Sequence, residues 1–243
     1  MVQRGLSPAT IGRRLSALRS MVKVARQIGR ITWTLEVEQP KSVPYRDTRG
    51  PGLDGWRRIV AAVRSRALEG SWAAKRDLAI IRLLHDLGLR RGEVSGLDVE
   101  DVSWEPAPGA VWIVGKGQSE KIKVTLNLAA RAALAEWLLL RGDEPGPLFS
   151  RLDRAREGGC TRLTGASIWR LVRRWGRVCK VTHGARPHGL RHQGITRALD
   201  LSGGDVRKVQ RFSRHAKLET LLRYDDARRD DAGDIARQLG EDS

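Results

Sequence analysis

Between Arg186 and Asp225 the chain places Pro187-His188-Gly189-Leu190-Arg191-His192, then His215, then Tyr224. Three of its five histidines and one of its two tyrosines fall in this window. A phenol beside imidazoles and a guanidinium suits the breaking of a phosphodiester. That reaction needs a nucleophile, charge on the two non-bridging oxygens, a proton donor for the leaving oxygen, and in-line positioning. Arginine meets the second need, because its planar fork grips phosphate at two points and stays charged. Lysine meets the third, because burial and neighbours move its pKa. Tyrosine ionises only near pH ~10 in water, and surrounding cations lower that cost. Arg90, Lys116, His188, Arg191, His215 and Tyr224 together supply every part without a metal ion.

Spacing alone does not single these residues out, since 45 lysines and arginines make coincidental sets inevitable. Each also has an ordinary reading: Arg90 as a helix-end arginine, Lys116 as a solvated turn lysine, Arg191 as a plain phosphate anchor. His215 reads equally as a helix-cap residue, and Tyr224 as a core tyrosine on the apolar face marked by Leu218, Leu221 and Leu222. His188 and His192 lie four apart, as two metal ligands on a helix do, but no third ligand accompanies them. Glu93 reads as a carboxylate that orients a neighbour.

The elements that must position these groups are legible from periodicity. Ser7-Pro8 reads as a cap and first helical residue, followed by Ile11, Leu15, Leu18, Val22 and Ala25 at helical spacing and ended by Gly29. The opposite face of that helix carries Arg13, Arg14, Arg19, Lys23 and Arg26, candidates for following a phosphate backbone. Pro40, Pro44, Gly50, Pro51 and Gly52 mark a linker. The expected organisation is a partial helical DNA-binding domain over 1–45, a linker over 46–52, and a catalytic domain over 53–243. Helices are expected around Trp56–Val63, Ala73–Leu87, Ala129–Leu140, Thr164–Val178, His188–Leu201 and Asp205–Phe212, on the segment carrying Leu218 to Tyr224, and over the tail at 227–240. Between them Val111–Val114 and Ile122–Leu126 alternate around Gly115-Lys116-Gly117-Gln118 as a hairpin with Lys116 near its tip, and Val99–Trp104 is a possible third strand. The fold class is therefore mainly α with a small antiparallel sheet (α+β).

A formal charge of +17 and a pI of about 11.1 call for a polyanionic partner, most simply nucleic acid. Residues 225–243 run the other way, with seven acidic side chains against three arginines, and suit docking on protein better than on DNA. Cys160 and Cys179 are too few for a zinc site or a disulfide framework, which fits a reducing cytoplasm. No apolar run reaches the ~18 residues of a membrane span, and the first residues lack the apolar segment of a signal peptide.

Gly88-Leu89-Arg90-x-x-Glu93 with Leu97, then Gly115-Lys116-Gly117, then His188-x-Leu190-Arg191-His192, then His215 with Tyr224 nine residues on, resembles the tyrosine recombinase (phage integrase) family over about residues 53–226. The first helix looks like the last part of that family's N-terminal core-binding domain, here shortened. The resemblance implies that Tyr224 attacks the scissile phosphate to form a 3′-phosphotyrosyl link, and that Arg90 and Arg191 hold the non-bridging oxygens. It further implies that Lys116 protonates the leaving 5′-oxygen, His188 assists proton transfer and His215 hydrogen-bonds the phosphate. A 5′-hydroxyl then reverses the step, so neither ATP nor a metal cofactor is implied. The implied partner is double-stranded DNA, with a homo-tetramer on two DNA sites and no membrane. One departure stands out: Arg214 occupies a position where the family usually has glycine. Two other readings share the basic surface: a truncated remnant that grips DNA without cutting it, and a type IB-like DNA topoisomerase. Salt-dependent binding without a covalent adduct would mark the first, and relaxation of supercoils without a specific site the second.

Overall fold

A computed structural model describes residues 5–40, 50–115, 117–152, 161–216, 218–219 and 221. Lys116, Tyr224, most of the linker and the tail helix expected over 227–240 lie outside the described residues. The chain divides into two units, Met1–Asp47 and Thr48–Ser243.

In the first unit helix α1 (Pro8–Gln27) begins as the sequence predicts: the Ser7 hydroxyl accepts the Thr10 amide at 3.4 Å and Pro8 opens the helix. Ile11, Gly12, Leu15 and Val22 form its buried stripe. Leu18, expected in that stripe, is 36% exposed.

The second unit is built around one helix. Along α3 (Trp72–Asp86) Ala74, Asp77, Leu78, Ala79, Ile80, Ile81, Leu83, Leu84 and His85 are all buried, because α2 (Gly52–Leu68), α5 (Leu128–Arg141) and α7 (Pro187–Leu201) pack around it. A helix apolar on most sides belongs inside its neighbours rather than on a surface. Its one fully buried carboxylate, Asp77, is matched by Arg76, by the Arg174 guanidinium at 2.6 Å and by the Trp175 indole N–H at 2.9 Å. Those last two partners fasten α6 (Gly165–Val178), capped by Thr164, onto α3. Where α7 crosses α3 the backbones meet: a Cβ on Gly194 would lie 2.0 Å from the His85 carbonyl oxygen. Only glycine permits that approach.

Short helix α4 (Arg91–Gly96) leads through a 3-10 turn (Val99–Asp101) into strands β1 (Val102–Ser103), β2 (Ala110–Val114) and β3 (Lys121–Thr125). They form an antiparallel sheet in the order β1-β2-β3, with Val111 opposite Val124 and Ile113 opposite Ile122. Val111 and Ile113 face the core while Trp112 and Val114 are exposed, the alternation expected of a half-buried strand. The third strand is shorter than the sequence suggests: the Asp98 amide donates to the Asp101 carboxylate at 2.9 Å and closes a turn, and only Val102–Ser103 pair. The fold is mainly helical with this small sheet, as predicted.

Helix α8 (Val206–Ser213) and the second half of α7 share a small separate core of Ile195, Leu199, Val209 and Leu221. Among the described residues no helix is long and apolar enough to cross a membrane.

Candidate active site

Three chain segments meet at the end of α3. Gly88, at φ +56°, ends that helix and turns the chain toward Arg90. Arg90 is the N-cap of α4 and has extended backbone angles. Glu93, three residues on, takes the Arg90 amide on Oε2 and the Arg90 Nη1 on Oε1, both at 2.7 Å. One carboxylate thus satisfies an orphan amide of the helix and fixes the guanidinium that leaves it. A second Arg90 nitrogen, Nη2, donates to the Arg214 carbonyl at 3.1 Å.

Arg191 arrives from α7, one turn past the helix start, and is only 3% exposed. Its Nη1 donates to the Gly88 carbonyl and its Nη2 to the Ser213 carbonyl. The same Nη2 lies 3.4 Å from His215 Nε2, and His215 Nδ1 lies 3.1 Å from the Ser213 hydroxyl. Ser213 Oγ in turn donates to the Gln210 carbonyl at 3.3 Å. A neutral imidazole protonated on Nδ1 satisfies the whole chain: Arg191 donates to Nε2, Nδ1 to Ser213, and Ser213 to Gln210.

The charge balance favours that neutral form. Burial, then the Arg191 and Arg90 guanidiniums, His188 and Arg214 push the His215 pKa down to about 4. Arg214 itself sits below the ordinary arginine range, because its burial outweighs the upward pull of Glu93 and the Arg90 charge pushes it down further. A cluster so short of negative charge is poised for an anion.

Arg90, Arg191 and His188 line one open cleft of about 430 Å³ at the N-terminus of α7, together with Arg91, Arg186 and Trp169. Of the six residues picked from sequence, the structure brings Arg90, Arg191 and His215 into one hydrogen-bonded group and sets His188 on the cleft wall. Lys116 and Tyr224 lie outside the described residues, so their expected places are carried by sequence alone; strands β2 and β3 flank the Lys116 turn. Three residues escaped sequence reasoning, Arg91, Arg186 and Trp169 in the cleft, while Arg214, singled out in the sequence, sits behind it. The neighbours of Arg90 and of Pro187 were the available signals.

The five basic residues predicted to share a face of α1 do not do so. Arg19, Lys23 and Arg26 line a groove of about 720 Å³ with Gly29 and Thr34. Arg13 and Arg14 are exposed elsewhere on the helix, because six and five residues at 3.6 per turn rotate them away from Arg19. Arg19 is also tied to the Val37 carbonyl.

Comparison with known proteins decides the family. The sequence pattern of the phage integrase family matches residues 54–230. The chain belongs to that family of tyrosine recombinases. It is 40% identical over 243 residues to a tyrosine recombinase of Synechococcus elongatus, covering 98% of this chain and 73% of that protein. It is 42% identical over 231 residues to a tyrosine recombinase of Synechocystis, covering 94% of this chain and 71% of that one. Among solved structures, the XerH site-specific recombinase bound to palindromic difH substrate in a post-cleavage complex superposes with a TM-score of 0.70 at 19% identity, over 96% of this chain and 67% of that one. That likeness carries the fold of a recombinase, and membership of the family makes the chain a DNA strand transferase by class.

Proposed function

We propose that this recombinase cleaves and rejoins duplex DNA at a specific site through a 3′-phosphotyrosyl link at Tyr224. The observation that carries the reading is the convergence of Arg90, Arg191 and His215 from three separate segments onto one cation-rich centre. Arg90 and Arg191 each anchor part of the guanidinium on protein carbonyls or Glu93, which fixes the fork before substrate arrives and lowers the cost of gripping the non-bridging oxygens. The Tyr224 phenol gives up its proton toward His188 as its oxygen attacks phosphorus, and the bond to the 5′-oxygen breaks. Lys116 delivers the proton that oxygen needs, and His188 stands on the cleft wall to assist. A phosphate anion facing His215 raises its pKa and draws a proton to Nε2, so the imidazole donates where it now accepts. The 5′-hydroxyl of an incoming strand then attacks the phosphotyrosine, and the tyrosine leaves as it came.

The +17 charge and the Arg19, Lys23 and Arg26 groove support double-stranded DNA as the partner, with phosphate contacts from both units. A homo-tetramer on two DNA sites, with the acidic segment 225–243 docked on a neighbouring subunit, completes the reading. Removing residues 227–243 should leave DNA binding intact and lower the sedimenting mass of the DNA complex; an unchanged mass refutes the docking.

The direct test is a nicked suicide duplex drawn from DNA flanking the gene. A protein–DNA adduct that survives denaturation is expected. Salt-sensitive binding with no adduct on any flanking sequence would reduce the chain to a DNA-gripping remnant.

A further inference from the structure

Arg214 combines three unusual properties. Its backbone lies in the left-handed region, at φ 57° and ψ 39°, where it caps α8 by donating its amide to the Gln210 carbonyl at 2.8 Å. Glycine adopts that conformation without steric cost, and a side chain does not. Its guanidinium turns inward, with 13% of the side chain exposed. There Nη1 donates to the carbonyls of Phe212 at 3.0 Å and Leu87 at 3.3 Å, while Nη2 donates to the Gly88 carbonyl at 2.8 Å and to Glu93 Oε2 at 3.4 Å.

These contacts interlock with both phosphate-gripping arginines. The Arg214 carbonyl accepts Arg90 Nη2, Glu93 is shared between Arg214 and Arg90, and the Gly88 carbonyl is shared between Arg214 and Arg191. His215 is the next residue in the chain. Stability does not explain the choice of residue. The site takes a cation out of water and places it near Arg90, and Nε is buried with no hydrogen-bond partner.

We propose that Arg214 is a positioning residue for strand cleavage. Seated on the Leu87–Gly88 turn and Glu93, its guanidinium binds the Ser213–His215 turn to the Arg90 segment, so that Arg90, Arg191 and His215 address one phosphate. The inference rests on the recombinase reading above. It explains why a conformation made for glycine carries the bulkiest cation: the cap is tolerated for the sake of the strut.

Two variants of the full chain separate the strut from the cap. R214G keeps and eases the cap but deletes the strut. R214K keeps the charge and most of the length but loses the fork that spans Leu87, Gly88 and Glu93. DNA affinity is measured by titration of the suicide duplex, and cleavage by single-turnover adduct formation at saturating DNA. The expected result is affinity within about threefold of wild type for both, with the cleavage rate down at least about tenfold in R214G and partly restored in R214K. Cleavage by R214G at the wild-type rate overturns the proposal, and so does a loss of affinity and thermal midpoint that matches the loss of rate. Should R214G not fold, R214K decides: a slower step at unchanged affinity upholds the strut, and a wild-type rate overturns it. The wild-type lane separates the two levels, since no adduct there refutes the recombinase reading and the strut falls with it.

Discussion

Replacing Glu93 with glutamine tests how Arg90, the first arginine proposed to grip the phosphate, is held. The carboxylate is 3% exposed and receives three donors: Arg90 Nη1 and the Arg90 amide at 2.7 Å each, and Arg214 Nη2 at 3.4 Å. Glutamine keeps the volume but offers one oxygen, so whichever way it turns, its NH₂ confronts a donor. The loss of one charge-assisted hydrogen bond costs ~1.5–3 kcal/mol, and a buried amide facing a donor ~1–3 kcal/mol more. The Arg90 side chain is 32% exposed, so water recovers part of its share, and about 2–4 kcal/mol is a fair net. For a chain of this size each kcal/mol lowers the thermal midpoint by ~2–4 °C, which puts E93Q about 5–15 °C below wild type. Cleavage suffers separately. If the freed Arg90 fork forfeits ~2 kcal/mol of transition-state stabilisation, adduct formation slows by about 30-fold at saturating DNA. Thermal melts and single-turnover adduct assays read the two effects. A variant that melts within about 1 °C of wild type and cleaves at the wild-type rate would refute the claim that Glu93 orients Arg90.

Gly194→Ala places a methyl group 2.0 Å from the His85 carbonyl and must push α7 off α3, dragging Arg191 from Gly88; a loss of ~3 kcal/mol in urea melts and slower cleavage are expected. Gly96→Ala, at the exposed end of α4 with open space around its Cβ, is the control and should be neutral or stabilising by up to ~1 kcal/mol. His215 adds a pH signature. With its folded pKa down to about 4 and an unfolded value near ~6.5, the unfolded chain binds more protons between those limits, so stability is fully present above pH ~6.5 and falls as pH drops toward 4. His215→Gln should flatten that slope in melts across pH 4 to 7, and an unaltered slope would refute the neutral imidazole.

Local chemistry made much of this legible in advance. The Ser7-Pro8 start, the Thr164 cap and the alternation around the Lys116 turn are signals that adjacent residues carry on their own, and the structure has them. Arg90, Arg191 and His215 were legible because each sits in a short motif. What stayed hidden depends on partners distant in sequence. The Glu93 carboxylate faces Arg214 across more than a hundred residues, and nothing local announces that an arginine will turn inward at a left-handed cap. The five cations of α1 read as one face opposite the apolar stripe, whereas helical rotation admits only Arg19, Lys23 and Arg26 to one groove. The third strand is shorter than Val99–Trp104 because Asp98 and Asp101 close a turn that keeps Val99–Asp101 out of the pairing.

With only two tyrosines in the chain, the nucleophile can be assigned without ambiguity. The covalent protein–DNA adduct trapped on a suicide duplex is digested with trypsin and nuclease and its peptides are sequenced by mass spectrometry. A nucleotide 3′-phosphate on Tyr224, with full adduct in Tyr45→Phe and none in Tyr224→Phe, is the expected result. A nucleotide on any other residue, or undiminished adduct in Tyr224→Phe, would contradict the mechanism outright.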